Sequence, residues 1–414
     1  MFPNQPETVM KLFKNIKSWF VDLLKVWRRE FKLVFSDVGV MLFFFALPTA
    51  YPVVYTLIYN PELVKNIPVV VIDDSRTSES RELTRMVDAT DAIAVYDYAA
   101  NLQDARRIMN SHECFGILHI PHDYSKKLGR GEQSVVSFYS EMSLLLRYRA
   151  FLSALTDVQL ALGSKIQTQL IDSAGLPGQM VSGTPIESES IMLGDPSQGF
   201  ASFVIPGIIV LILQQSLILG VTMLAGASNE RRRRNNGTDP LAIPAPPAIS
   251  VIGKTLCYLT LYAPLTLYIL HIVPEAFSLP HLGNIFDYVI FIMPMLIASS
   301  FLGMSIGAFV LERESSLLVV VFSSVVFLFL SGLTWPRYAM SPFWTLVGDL
   351  IPATWGVEGF IRLNSNNASL IQNSTPYLMM WLLAAIYFVT AVTLRYVVMR
   401  TGNPRRNGYE KLYS

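Results

Sequence analysis

Six long runs, at residues 38–61, 196–229, 255–274, 288–311, 315–336 and 376–394, contain no Asp, Glu, Lys or Arg. A helix rises 1.5 Å per residue, so about 20 apolar residues suffice to cross the hydrocarbon of a bilayer. One such run can be a buried core helix, but a globular core rarely supplies six. Only 15% of the 414 residues are charged and 52% are hydrophobic, whereas about a quarter of a soluble chain is charged. The chain reads as a multi-pass membrane protein.

The charges that remain are unevenly placed. Residues 61–195 hold 12 basic and 18 acidic side chains, and the other 279 positions share 33 charges with a net value of +7. One polar domain is therefore set inside a charge-poor remainder. The overall charge of +1 gives no basic excess that would attract nucleic acid.

Lys and Arg in short segments set orientation. Seven precede the first run (Lys11, Lys14, Lys17, Lys25, Arg28, Arg29, Lys32), and five lie between the second and third (Arg231, Arg232, Arg233, Arg234, Lys254). Arg313 lies between the fourth and fifth, and five more follow the sixth. The alternate short loops carry none and two (Arg337, Arg362). Both termini are expected in the cytoplasm and the domain at 61–195 outside.

The first 37 residues lack the compact apolar stretch of a cleavable signal peptide. At 100° per residue, Leu12, Ile16, Trp19, Phe20, Leu23 and Trp27 share one arc, with Lys14, Lys17, Lys25, Arg28 and Lys32 opposite. This predicts an interfacial helix, its apolar face in lipid and its basic face toward anionic head groups.

In the polar domain, strand-like runs at 67–72, 92–96 and 114–120 alternate with helical patterns at 78–89 and 101–110, which predicts a small α/β unit. A long helix is expected over 143–171 and a Gly-, Ser- and Pro-rich linker over 175–199. Cys114 and Cys257 fall in different parts of the chain, so no disulfide is expected. His112 and His119 would face opposite sides of a strand and His122 follows Pro121, which makes a metal centre improbable. Gly253-Lys254-Thr255 ends like a phosphate-binding loop, yet Ala248 stands where the pattern needs glycine and prolines stand where it needs a strand. No catalytic constellation is present in the sequence, and no internal repeat supplies twelve spans.

The order of these parts resembles the permease subunits of ABC type-2 exporters, in particular the subgroup with a large external domain between the first two spans. The likeness rests on Ile67-Pro-Val-Val-Val-Ile-Asp-Asp-Ser75, Ser80-Arg-Glu-Leu83, the Gly116–Tyr124 stretch GILHIPHDY and Leu128-Gly-Arg-Gly131. Inside, it rests on Glu230, Gly237, Thr238, Pro244, Gly253 and Lys254, and after the fifth span on Pro342, Ile351-Pro-Ala-Thr-Trp355 and Glu358.

The resemblance implies that the loop 229–254 contacts a separate ATP-binding subunit, with Glu230, Gly237, Thr238, Asp239, Pro240, Pro244, Gly253 and Lys254 as the coupling residues. Asp239 followed by Pro240 suits the cap and first position of a short helix over 239–243, which Pro244, Pro246 and Pro247 would end. Family members commonly continue with an acidic, leucine-rich helix, from which this sequence departs. Gln214 and Gln215, polar groups within hydrocarbon, and Glu358, beside it, are the candidates for a substrate path. Gly303 and Gly307 have the spacing of close helix packing.

The expected fold is a multi-pass α-helical membrane protein of six transmembrane helices, with a small extracytoplasmic α/β domain inserted between helices one and two. The parts are an amphipathic helix at 1–37, span one at 38–60, the outer domain with its long return helix at 61–195 and span two at 196–228. The cytoplasmic loop at 229–254 is followed by spans three to five within 255–336, a re-entrant or interfacial segment at 337–375, span six at 376–398 and a tail at 399–414. The expected function is export of a hydrophobic or amphipathic compound across a bacterial inner membrane. This chain would hold no cofactor, ATP and Mg being bound by the partner subunit. Expected partners are that ATP-binding subunit, a second permease copy or paralogue, membrane lipids and, in some arrangements of the family, a periplasmic adaptor. The alternative is a non-transporting envelope receptor or assembly scaffold displaying the outer domain.

Overall fold

The computed structural model describes residues 5–59, 64–130, 132–141, 145–173 and 199–401. The linker over 175–199 lies almost wholly outside the described residues, as does the tail from 402. The chain forms two compact units, one of them Pro61–Ile191.

In that unit, three parallel strands and one antiparallel strand make a sheet of order β2-β1-β3-β4: β1 (Ile67–Asp73), β2 (Ile93–Tyr98), β3 (Gly116–Ile120) and β4 (Ser137–Ser140). β1 is the central apolar run. Val69 and Val71 point to one face and Val70 and Ile72 to the other, because side chains alternate along a strand. Burial on both faces is why the sequence there is continuously apolar instead of alternating. The first face is covered by Leu83 and Val87 of one helix (Ser78–Asp88) and by Phe151, Ala154 and Val158 of a long one (Leu145–Ser173). The second takes Ala105 of the helix Leu102–Asn110 and Cys114. β4 and the short helix Tyr124–Gly129 carry no strong periodicity and were not expected from the sequence. His119 is paired with Asp74 at 2.8 Å, and Cys114 and Cys257 are both free and buried.

The other unit is helical. Among the described residues, six helices are long and apolar enough to cross a membrane: α2 (Val38–Tyr59), α3 (Phe200–Arg234), α4 (Pro247–Ala276), α5 (Ile285–Gly307), α6 (Arg313–Leu330) and α7 (Ser374–Met399). They are preceded by α1 (Gln5–Ser36). Between α6 and α7 lie two further helices, α8 (Pro342–Asp349) and α9 (Pro352–Asn366). At 15 residues, α9 is about 22 Å long, short of the ~30 Å hydrocarbon core.

α3 is the hub of this unit, with Leu213, Leu217 and Val221 fully buried. Small residues let its neighbours approach. A Cβ added at Gly220 would stand 1.9 Å from the Phe44 ring of α2, and one at Gly307 of α5 would stand 2.5 Å from Ala225 of α3. Gly303 meets Val221 in the same seam, so the GxxxG spacing serves close packing. Gly356 and Gly359 admit Met295 and Phe291 of α5 against α9.

Two boundaries differ from the sequence reading. α3 runs six residues beyond 228 to Arg234, and α4 starts at Pro247 instead of 255. The irregular link is therefore 235–246, and Gly253 and Lys254 lie within α4. Uncharged-run counting stops at the first charge, whereas a helix tolerates Arg in its last turn, where the C-terminal end of the dipole favours cations, and Pro in its first turn.

Candidate functional site

The residues proposed for coupling gather at the end of the bundle where α3 finishes and α4 begins. α3 terminates at Asn236 (φ 48°) and Gly237 (φ 84°), both left-handed. The Gly237 amide then donates to the Arg232 carbonyl at 2.8 Å and Thr238 Oγ1 to that of Asn235 at 2.9 Å. Glycine is needed here for its backbone, as at many helix C-termini. Gly253 has a different role in α4, where it leaves room for α1: an added Cβ would lie 2.9 Å from Val26.

The short helix expected over 239–243 is not formed. In its place is a single turn, closed by the Ala242 amide on the Asp239 carbonyl at 3.0 Å. Asp239 does accept the Leu241 amide, at 3.0 Å. Its carboxylate also turns back to α3, where Arg231 grips it through Nε (2.9 Å) and Nη2 (3.1 Å) and Ser228 donates at 2.6 Å. Burial alone would raise the Asp239 pKa, but the hydrogen bonds from Arg231, Ser228 and the Leu241 amide outweigh it and hold the group below its usual value. Pro244 completes the effect by excluding Ile243 from helical geometry. Pro240 and Pro244 remain exposed.

Glu230 and Asn229 face another connection, the link between α5 and α6. Glu230 Oε1 accepts the Arg313 amide at 2.8 Å, and Asn229 Nδ2 donates to the carbonyls of Gly307 and Val310 at 3.2 and 2.7 Å. Gly226 abuts the backbone of Glu312 and Arg313. Arg313 then pairs with Asp37 at 2.9 Å, and Asp37 caps the start of α2 through the amides of Gly39 and Val40.

α1 joins the same layer, with Leu23 and Val26 packing on Ala245 and Ile249. Glu30, almost fully buried, accepts from Lys254 Nζ at 3.1 Å and from the Tyr258 hydroxyl at 2.5 Å. Trp27 donates to Thr260 at 3.3 Å and Arg29 to the Leu241 carbonyl at 3.0 Å. This corrects the purely interfacial reading of α1. Among the described residues of the apolar arc, Leu23 lies against protein, Trp27 is half-buried, and Trp19 and Phe20 are exposed. Lys25, Arg28 and Lys32 are exposed on the other side. The side chains of Leu12, Lys14, Ile16 and Lys17 lie outside the described residues.

The substrate-path candidates fall elsewhere and are not brought together with these. Gln214 is fully buried. Its Oε1 accepts the Ala353 amide at the start of α9 (2.6 Å) and the Ser299 hydroxyl (3.3 Å), while Nε2 has no partner. Both amide atoms of Gln215 are buried without a partner. Glu358 is held by Arg337 at 2.8 Å and Arg362 at 2.6 Å. Arg337 also pairs with Asp349 and stacks over Trp355 at 4.5 Å, so the Glu358 carboxylate is neutralised within α9 and the short 3-10 turn Arg337–Ala339 before α8.

Sequence reasoning missed Glu30, Asp37, Asn229, Tyr258 and Arg395 as members of the polar layer. Glu30 offered one signal, since it follows Val26 by four residues on the face that meets α4.

No curated protein matches this sequence. A family model described as ABC-2 family transporter protein matches residues 39–393, which run from the start of α2 into α7 and include the sheet unit, and the chain thus belongs to the ABC-2 family of transporter proteins.

Proposed function

We propose that this chain is the permease subunit of an ABC exporter of the subgroup with an extracytoplasmic domain. It moves a hydrophobic or amphipathic compound outward, driven by ATP that a separate subunit hydrolyses with Mg. Two permease chains, identical or paralogous, complete the path in a bacterial inner membrane, with both termini and the layer around 235–246 in the cytoplasm and the sheet unit outside. One observation carries the reading. Asp239 to Arg231, Glu230 to the Arg313 amide and Glu30 to Lys254 tie the two inter-span links and α1 to α3 and α4 at one end of the bundle. A partner that moves the exposed turn at Pro240 and Leu241 then displaces the ends of two spans together, and such a differential contact is what a nucleotide-driven change requires. Gln214 and Gln215 are the groups for a polar portion of the cargo, and Glu358 positions α9.

The test is to replace 239–243 with a Gly/Ser stretch and, separately, to make Asp239→Asn. The first should leave membrane insertion intact, because Arg231 to Arg234 remain, yet weaken binding of the ATP-binding subunit or uncouple hydrolysis from export. The second reports how much of that effect is internal loosening of the turn. Unaltered export and partner binding in the Gly/Ser chain would make the loop topogenic only and overturn the coupling role; absence of any export by the unaltered chain with its ATP-binding subunit would favour the non-transporting scaffold.

A further inference from the structure

Between α1, the 235–246 link and the far end of α7 lies a cavity of about 30 Å³. Six charged residues line it: Arg29, Arg231, Lys254 and Arg395 against Glu30 and Asp239. Both carboxylates are already committed, Asp239 to Arg231 and Glu30 to Lys254. Two guanidinium groups are left over. Arg29 Nε donates to a neutral carbonyl, that of Leu241. Arg395 Nε is buried without a hydrogen-bond partner, and Arg395 forms no ion pair among the described residues.

Two positive charges facing one cavity repel each other and lose hydration, a cost that an anion between them removes. A water needs about 10–15 Å³ of cavity space, so the cavity admits roughly two or three oxygen atoms. A nucleotide base or a sugar ring does not fit, whereas the oxygens of a phosphate entering from the mouth do, and guanidinium forks match phosphate geometry. The height of the site chooses the source of that phosphate. Arg231 is in the last turn of α3, Lys254 near the start of α4, and Arg395 six residues before the end of the Ser374–Thr401 helix. This is where spanning helices meet head groups, and basic pockets between such helices hold anionic lipids. On α1, which supplies Arg29, Phe20 and Leu24 are more than half exposed and give acyl chains an apolar surface.

We propose that this cavity binds the phosphate of an anionic phospholipid, with Arg395 and Arg29 as the two cations that recognise it. The full chain in detergent is titrated with phosphatidylglycerol or phosphatidylcholine, and bound lipid is counted by native mass spectrometry. Phosphatidylglycerol should bind more tightly, and Arg395→Gln and Arg29→Gln should each weaken it about fivefold, as expected for one basic contact at about 1 kcal/mol. Lys65→Gln, at an exposed lysine of the sheet unit paired with Asp91, should stay within about twofold of the unaltered chain. Should Arg395→Gln fold poorly, Arg395→Lys keeps the charge and should bind between the two. Equal retention of both lipids, or retention unchanged in both Gln variants, overturns the proposal. So does displacement of the lipid by millimolar inorganic phosphate alone, which would make free phosphate the ligand. Lipid binding unchanged alongside lost binding of the ATP-binding subunit would assign the two arginines to an acidic protein partner instead.

Discussion

Removing the lysine of the Glu30–Lys254 pair should loosen α1 from the membrane unit more than removing the glutamate. The pair is separated by 3.1 Å, Glu30 is only 3% exposed at its side chain and Lys254 22%. At an effective dielectric of 20 the bare attraction is about 5 kcal/mol, but desolvation offsets much of it, so the net coupling is expected near 2 kcal/mol. Lys254→Met leaves a buried carboxylate with only the Tyr258 hydroxyl and should cost about 3 kcal/mol, in the range for an uncompensated buried charge. Glu30→Gln keeps the volume and a polar atom for Tyr258, leaves a lysine that can reach water, and should cost about 1 kcal/mol. The double variant should be less destabilised than the two losses added. The assay is a double-mutant cycle on unfolding in nanodiscs, paired with the rate at which protease cleaves α1 at its exposed lysines. Additive losses, or a Glu30→Gln chain less stable than Lys254→Met, would refute the view that an ion pair between α1 and α4 holds this layer.

Other outcomes follow from the same geometry. Gly220→Ala puts a methyl 1.9 Å from the Phe44 ring and should lower stability by about 1–3 kcal/mol, whereas Gly163→Ala, in an exposed helix with nothing within 4 Å, should raise it by up to about 1 kcal/mol; thermal unfolding of each compares them. Asp239→Asn should destabilise the link at neutral pH. Because the folded pKa of Asp239 lies below its ordinary 3.8, the difference from the unaltered chain should persist above that value and vanish as pH falls through the folded pKa, which melting curves from pH 6 to 3 check. For topology, an impermeant thiol reagent on intact cells should label Gln133→Cys and spare Ala242→Cys, both made in a chain with Cys114 and Cys257 replaced by Ser.

The spans were legible because burying about 20 consecutive uncharged residues needs no tertiary information. The three parallel strands were legible because their apolar runs are cut by turn residues such as Asp73-Asp74-Ser75 and by helices of amphipathic pattern. The polar layer was not, for a physical reason. Periodicity places Glu30 beside Arg28 and Arg29 in a stretch that reads as solvated, and only the approach of Lys254 and Tyr258, more than 220 residues away, makes it a buried partner. The turn at 239–242 was misread as a helix because Asp239 and Pro240 form a valid local start signal. Its carboxylate found a stronger donor in Arg231 than a helical amide offers, and Pro244 removed the room to propagate.

The distribution of buried polar groups separates the bundle into two ends with different requirements. At the end with Arg231 and Lys254, the carboxylates of Glu30, Asp239 and Asp37 are each matched to a cation across element boundaries, α1 to α4, the 235–246 link to α3 and the α5–α6 link to α2, and among the described residues Arg29 and Arg395 are the lining cations left without a carboxylate. Breaking any of these pairs exposes a charge to a less polar surrounding, so the elements shift together or not at all. Around Gln214 and Gln215, by contrast, amide atoms are buried and unmatched. Each costs about 1–3 kcal/mol while unpaired, a cost that water, another state of the helix or a ligand that supplies the missing partners would remove. In the proposed function, the tied layer at one end would pass on displacement and the unsatisfied groups along the same helix would meet the cargo. Gln215→Leu should therefore stabilise the resting protein in thermal unfolding while lowering transport. A variant that is stabilised and transports normally would make Gln215 a packing defect without function.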